Sequence, residues 1–421
     1  MKWRNQLLAV FCLLLFVGLG VLYFQHWVVQ RSFGLILFVG EGLGPERLAA
    51  TRIYFGGADN HLALDSMSHV AFMTNYAKDF ATPDSAAAAT AIATGTKVNN
   101  RSLAMDSDGK RLTSIVELAR EKGRAIGLLT DGKLTDPTCA AFYTHSSDPN
   151  DIETFARELV EEGKLDVVLG AGSAQFLPAT KGGERQDGRD LFMELRQKGF
   201  EVVRTRAELE SIPAWRHSKL FGSFSDGELA FSNELEERSQ QPSLADMVRR
   251  SIELLQYNAG GYLLVVDAAL MRKAAQQNNG ERTLMETGEL DRAIAVARRY
   301  AGKKSTIIAC GDVGIGGMNL NGFPFRKDSG IAILGLNPAG QPWITWAAGP
   351  NGTKSYGAAK TAENGPLTDI ETEQLEPGAF YSKSAQYTVS DTVACGSGRG
   401  AEKIQGSIDN TAIFRILRDE L

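Results

Sequence analysis

Histidine is scarce in this chain: five among 421 residues, at His26, His61, His69, His145 and His217, and none after residue 217. Imidazole ligands from the later part of the sequence are therefore excluded. Cysteine is scarcer still, at Cys12, Cys139, Cys310 and Cys395. Cys12 lies in an apolar run without a lipobox and reads as a small apolar filler. The other three are odd in number, so a disulfide framework is excluded, although one bridge is allowed in an oxidising compartment. Excess basic charge is absent too. Lys+Arg 45 against Asp+Glu 50 gives a formal net charge of −5, which leaves no field to hold nucleic acid. There is no internal repeat or low-complexity tract. With 43% apolar and 23% charged residues the composition is globular, which excludes a largely disordered chain.

What is present begins with a long apolar run, residues 7–29, interrupted only by Gln25 and His26. At about 1.5 Å per residue it can cross a hydrocarbon core of roughly 30 Å. Lys2 and Arg4 precede it and no acid does. The positive-inside bias then leaves the short N-terminus in the cytoplasm and sends the rest to the periplasmic or extracellular face. Tyr23 and Trp27 stand where interfacial aromatics belong. The rival reading is a cleaved signal peptide, but the stretch is long for one and no A-x-A-like site precedes Gly34. Residues 1–33 are read as a membrane anchor and 34–421 as one domain.

Beyond the anchor, strand-like and helix-like segments alternate. The run 34–40 (GLILFVG) is continuously apolar, as expected of a strand buried on both faces. Helices are expected at 85–93, 112–122, 152–162, 243–257 (with Ser243 as N-cap) and 289–300. Further strands are expected at 125–130, 166–169, 262–266 and 305–309. This order predicts an α/β fold with a mostly parallel central sheet and helices on both faces. Residues 316–390 are rich in Gly, Pro, Asn, Thr and Ser and read as an irregular insertion near the active face. Ligands collect at the carboxyl ends of parallel strands, which singles out Glu41, Asp136, Asp267 and Asp312, each at or soon after a strand-like run.

The segment Pro83-Asp84-Ser85 followed by four alanines places a hydroxyl at a helix N-terminus. Free N–H groups and the helix dipole there favour an anion such as phosphate. Asp84 or Ser85 could cap that helix, and taken alone the segment fits an ordinary N-cap serine better than a functional one. Its neighbours change that. GLILFVGEGLG at 34–44, PDSAAAATAIATGTKVNN at 83–100, TSIVELAREKGRAIGLLTDGKLTDPTCAAFYTH at 113–145, VVDAALMRKAAQ at 265–276, CGDVGIGGM at 310–318 and GSIDNTAIF at 406–414 together resemble the alkaline phosphatase family in order and spacing.

That resemblance implies phosphomonoester hydrolysis through a phosphoserine at Ser85, with two zinc ions and a magnesium as the family's cofactors. It places Glu41, Asp136, Thr138 and Asp267 at a magnesium-type site, whose hard oxygen ligands suit magnesium or calcium. Glu41 and Asp267 each differ from the family's residue by one methylene. A polar pocket closed by hydrogen bonds is the alternative to a bound cation. Asp312 matches an aspartate ligand of one zinc, but its neighbour is Val313 where the family has histidine. The other zinc's ligand positions carry Arg272, Gln276 and Tyr387, and none of Arg, Gln or Val is a zinc ligand. The family's phosphate-gripping arginine is matched by Pro149, and His145 by a histidine that binds no zinc. Arg272 could grip an oxyanion in compensation, or fill the vacated site by a salt bridge.

Two functions stay open at this point. One is a membrane-anchored phosphoric monoester hydrolase with a degraded zinc site and weak or altered activity. The other is a pseudoenzyme that binds a phosphate ester or a protein partner without turnover. A homodimer is compatible with either. A sulfatase or phosphodiesterase fits less well, lacking the first's motif and the second's two metals.

Overall fold

The computed structural model describes residues 2–23, 33–161, 165–214, 219–237, 240–302, 304–322, 325–352 and 376–421. The expectations attached to Gln25, His26 and Trp27 lie outside the described residues, as do residues 353–375 of the expected insertion. The chain divides into two compact units, Met1–Ser32 and Phe33–Leu421.

In the first unit a helix covers Lys2–Tyr23 with no acid in its first turn. Its stretch Trp3–Leu22, 20 residues of mean hydropathy 2.3, is long and apolar enough to cross a membrane.

The second unit is built on a ten-stranded sheet. Its strands in chain order are β1 (Gly34–Gly40), β2 (His69–Thr74), β3 (Ala125–Lys133), β4 (Val167–Ala171), β5 (Phe200–Val203), β6 (Lys219–Ser223), β7 (Tyr262–Ala268) and β8 (Thr306–Gly311). Four short strands follow outside it: β9 (Gly314–Ile315), β10 (Asn319–Leu320), β11 (Ile344–Gly349) and β12 (Gly378–Tyr381). After β13 (Tyr387–Thr388), which pairs with β9, the chain returns to the main sheet as β14 (Thr392–Ser397) and β15 (Gly406–Asp409). The spatial order is β15-β2-β14-β8-β1-β7-β3-β4-β6-β5. Every pairing in it is parallel except those of β14 with β2 and β8.

The apolar runs dictate this arrangement. All seven residues of β1 are buried, and they alternate between two cores. Leu35, Leu37 and Val39 face one, with the helices Ser85–Thr94, Ile115–Glu121, Ile152–Glu161 and Thr411–Asp419. Ile36 and Phe38 face the other, with Leu244–Leu255 and Gly280–Tyr300. Period-two alternation in a strand covered on both sides needs apolar residues at every position, and each fully buried Leu, Ile or Phe contributes about 1.5–3 kcal/mol. The α/β expectation thus holds, with helices on both faces.

Boundaries differ from the sequence reading for local reasons. Ser114 and Glu117 form a reciprocal capping box, so that helix starts at Ile115. The helix expected at 289–300 begins at Gly280, because the Asn279 side chain caps it by accepting the Arg282 N–H. Ser243 caps Leu244–Leu255 as expected. β7 runs through Asp267, which therefore lies within the strand and not after it. Cys139, Cys310 and Cys395 are buried and unbridged.

Candidate active site

Parallel register assembles the acids. β1 pairs with β7 so that Val39 opposes Asp267, and with β8 so that Gly40 opposes Gly311. Glu41, one step past β1, therefore lies between Asp267 and Asp312. Thr130 of β3 opposes Asp267 on its other side and donates its hydroxyl to Asp267 Oδ2 at 2.9 Å. Asp136 precedes the short helix Pro137–Ala140, which carries Thr138. Asp312 Oδ1 accepts the N–H groups of Gly42 at 3.0 Å and Val313 at 2.6 Å.

Ser85 is the first residue of the helix Ser85–Thr94, and Asp84 is its N-cap. Asp84 Oδ1 accepts the Ala87 N–H at 2.8 Å, and Oδ2 accepts the Arg101 N–H at 2.7 Å. All ten residues of that helix are buried, and the run of alanines permits such close packing. Ser85 is 2% exposed, and its Oγ lies 3.1 Å from the Tyr387 hydroxyl. Tyr387 is brought there by β13, whose pairing with β9 sets Tyr387 against Ile315, three residues beyond Asp312.

The centre of the acid cluster holds a cation from the chain itself. Arg272, on the helix Leu270–Gln276 that follows β7, donates through Nε to Glu41 Oε2. Its Nη2 stands 3.5 Å from Asp136 Oδ2. Lys273 Nζ approaches the same Asp136 oxygen at 3.3 Å and Glu228 at 2.7 Å. Arg47, 4% exposed, donates to the Glu41 carbonyl at 3.1 Å. Neither Lys273 nor Arg47 stood out in the sequence, because a charged residue on a helix ordinarily reads as solvated.

Burial sets the electrostatics. It pushes Asp267 well above the usual carboxylate range, and neighbouring Glu41 adds to the effect. Burial and Glu41 likewise raise Asp312 to about 7. Desolvation lowers Arg47 to about 10 against the pull of Asp312. Desolvation also works against the charge on Arg272, yet Glu41, Tyr387 and Asp136 hold that guanidinium above its ordinary value. Burial raises the Tyr387 phenol, partly offset by Arg272 and the Ser85 hydrogen bond, so it stays protonated at neutral pH.

Several buried polar atoms here lack a hydrogen-bond partner: Glu41 Oε1, Asp136 Oδ2, Thr138 Oγ1, Asp267 Oδ1, Asp312 Oδ2 and Arg272 Nη2. Native interiors rarely leave so many together, which marks this as a place for a polar ligand. Among the described residues, however, no three His, Cys, Asp or Glu side chains are grouped closely enough to hold a metal ion. The other positions that the resemblance set against zinc ligands lie elsewhere. Val313 is fully buried with Ile315 and Trp346 in an apolar cluster. Gln276 lines a cavity of about 590 Å³ beside Lys273, and its carbonyl accepts the Ala385 N–H at 2.8 Å. These residues do not fit a zinc pair. The hard oxygens of Glu41 and Asp136 suit magnesium in kind, but a guanidinium already stands against them.

His145 bonds through Nε2 to the Leu112 carbonyl at 3.0 Å, a structural role. Pro149 lies in the turn before Ile152–Glu161. The neighbouring Asp148 meets the Arg101 guanidinium at 3.7 Å, while the Arg101 backbone N–H is the one donated to Asp84.

Known proteins agree with this architecture. The family profile described as alkaline phosphatase matches residues 34–421. Alkaline phosphatase 4 of Bacillus subtilis is 26% identical over 91% of this chain and 88% of its own length. The tissue-nonspecific isozyme of Gallus gallus is 29% identical over 67% of this chain and 63% of its own. Among solved structures, Thermus thermophilus alkaline phosphatase superposes with a TM-score of 0.72 at 24% identity, covering 93% of this chain and 92% of that one. A cold-active alkaline phosphatase from a Shewanella species gives 0.70 at 21% identity, over 92% and 100%. At those identities the structural likeness shows the fold.

Proposed function

The chain belongs to the alkaline phosphatase family, and from that premise we propose that it is a phosphatase-type hydrolase acting on a phosphate monoester, with Ser85 as the group that receives the phosphoryl. In this reading Ser85 Oγ bonds to phosphorus as the bond to the ester oxygen breaks, and the serine proton ends on the departing alcohol. Water then attacks the phosphoserine, releasing inorganic phosphate and restoring the hydroxyl. The observation that carries the proposal is Ser85 at the head of a buried ten-residue helix, 3.1 Å from the Tyr387 hydroxyl, which in turn lies within the field of Arg272, Glu41 and Asp312. Helix N–H groups and Arg272 Nη2 would stabilise the phosphoryl oxygens.

Relatives in this family generally depend on metal. Here the zinc positions are Arg272, Gln276, Val313 and Tyr387, and no step is assigned to zinc. Magnesium at Glu41, Asp136, Thr138 and Asp267 would require Arg272 to move. A metal pair supplies nucleophile activation worth several kcal/mol, and the Tyr387 phenol is too weak a base to replace it. Turnover is therefore expected to be slow. That same gap, together with the Arg272–Glu41 ion pair, favours a second reading in which the pocket binds a phosphate ester without hydrolysing it. The proposal also takes residues 1–33 as a membrane anchor and 34–421 as the functional domain outside the cytoplasm.

The deciding experiment purifies the chain in detergent and follows release of a chromogenic alcohol from its phosphate monoester, beside Ser85→Ala and with zinc or magnesium added. Turnover lost in Ser85→Ala supports hydrolysis at Ser85. Equal rates in wild type and Ser85→Ala under every metal condition refute it and leave the binding reading.

A further inference from the structure

We infer that Arg272 is a tethered cation standing in the place of a divalent metal ion between the Glu41 and Asp136 carboxylates, so that the acid cluster is held together without metal. The argument is geometric. Glu41 is fully buried and its Oε2 is taken by Arg272 Nε, while Arg272 Nη2 faces Asp136 Oδ2 at 3.5 Å. Arg272 is itself 7% exposed, and its backbone is fixed by the helix turn whose N–H reaches the Ala269 carbonyl at 3.1 Å. Lys273, next along the helix, reaches the same Asp136 oxygen at 3.3 Å.

A hard divalent ion would need oxygens of these same two carboxylates at roughly 2.0–2.6 Å. The guanidinium fork already lies against both. An ion at ligand distance from those oxygens would overlap Arg272 Nε and Nη2, so the guanidinium must withdraw before it can bind. The two occupants also differ in how they are held. An ion is free to leave when chelated, whereas a guanidinium on a helix is covalently retained and charged at every biological pH. Glu41 Oε1 and Thr138 Oγ1, which lack a hydrogen-bond partner, fit this history: a spherical ion can satisfy oxygens all round, and a planar fork reaches only some.

The test reads metal uptake and melting, not turnover, so its failure leaves the Ser85 proposal standing and an inactive Ser85 leaves this one standing. The full chain in detergent is stripped with chelator, then melted with and without millimolar magnesium or manganese, and bound metal is counted by equilibrium dialysis. Wild type is expected to bind less than about a tenth of an ion per chain and to melt within about 1 °C in all conditions. Arg272→Ala and the bulkier neutral Arg272→Gln are expected to melt lower in chelator. With metal they should take up about one ion and regain roughly 2–5 °C. Arg272→Lys, which keeps the charge, should stay insensitive to metal. If Arg272→Ala accumulates folded only when metal is present, that too supports the assignment. A wild-type chain that melts lower after chelation overturns it. So does failure of both neutral variants to bind metal, folded or not.

Discussion

Glu376 offers a test of how burial controls this domain's stability. Its Oε2 accepts the Gly280 N–H at 2.8 Å and the Trp346 indole N–H at 3.0 Å, tying the start of the helix Gly280–Tyr300 to β11. Burial raises its pKa from an ordinary 4.5 to about 7, and the two hydrogen bonds only partly counter that. A carboxyl whose folded pKa exceeds its unfolded one stabilises the fold when protonated. Its contribution is complete below the unfolded value and is lost as pH rises through the folded one. With those two values the loss between pH 5 and pH 8 comes to about 2.5 kcal/mol, at 1.36 kcal/mol per unit. Asp312 and Glu286, also raised by burial to about 7, add pH dependence of their own, so the comparison must be a difference. Urea unfolding of the full chain in detergent at the two pH values, for wild type and Glu376→Gln, supplies it. The glutamine can still accept from Gly280 and Trp346 but cannot ionise. The wild-type drop should exceed the variant's by about 2–3 kcal/mol. Equal drops, within about 0.5 kcal/mol, would refute the assignment of a destabilising buried charge to this residue.

Other consequences are equally open to measurement. Asp84→Ala removes acceptors for both the Ala87 and Arg101 N–H groups and should cost about 1–3 kcal/mol in urea unfolding. Tyr387→Phe leaves Ser85 Oγ without its hydroxyl partner and should cost about 1 kcal/mol of stability by calorimetry while changing phosphate-ester affinity. Gly311→Ala would put a Cβ 2.3 Å from the Leu43 carbonyl oxygen, so it should lower stability by at least about 2 kcal/mol. A wild-type-like melt of that variant would contradict the packing described at the end of β8.

How far the sequence revealed all this depended on whether the signal was local. β1, β3, β7 and β8 were legible because a strand covered on both faces must be apolar throughout. The acids at their ends were legible because polar residues directly after such runs are few. The Ser85 helix announced itself through its alanines, and of the two cap candidates Asp84 and Ser85 the structure uses Asp84. β14 and β15 escaped notice, since TVACGS and GSID are too short and too polar in part to stand apart from loop. The hydrogen-bonding contact of Ser85 with Tyr387 joins residues 302 positions apart, and no local pattern encodes it. The family resemblance set Arg272 against a zinc-ligand position with two roles open, oxyanion grip or salt bridge. Only the register of β1 with β7 and the direction of the following helix turn it onto Glu41. Arg47 and Lys273 were hidden for the same reason: whether a helical cation meets water or an acid is decided by what packs over it.

The position of β14 has a consequence for how such a molecule is made. It is wedged between β8 and β2, and Thr392 Oγ1 meets the Met73 carbonyl at 3.4 Å across 319 positions of sequence. While a ribosome is still delivering the middle of the polypeptide, β2 has no neighbour on either side, for both β14 and β15 lie more than 300 positions later. The alanine helix that carries Ser85 waits likewise for Phe414 to close over Gly95. The emerging polypeptide thus carries an open sheet edge until β14 and β15 arrive, a state prone to wrong pairing in the meantime. Removing everything from Thr392 onward should yield aggregate and no smaller folded core, a result that sedimentation of the truncated product would reveal.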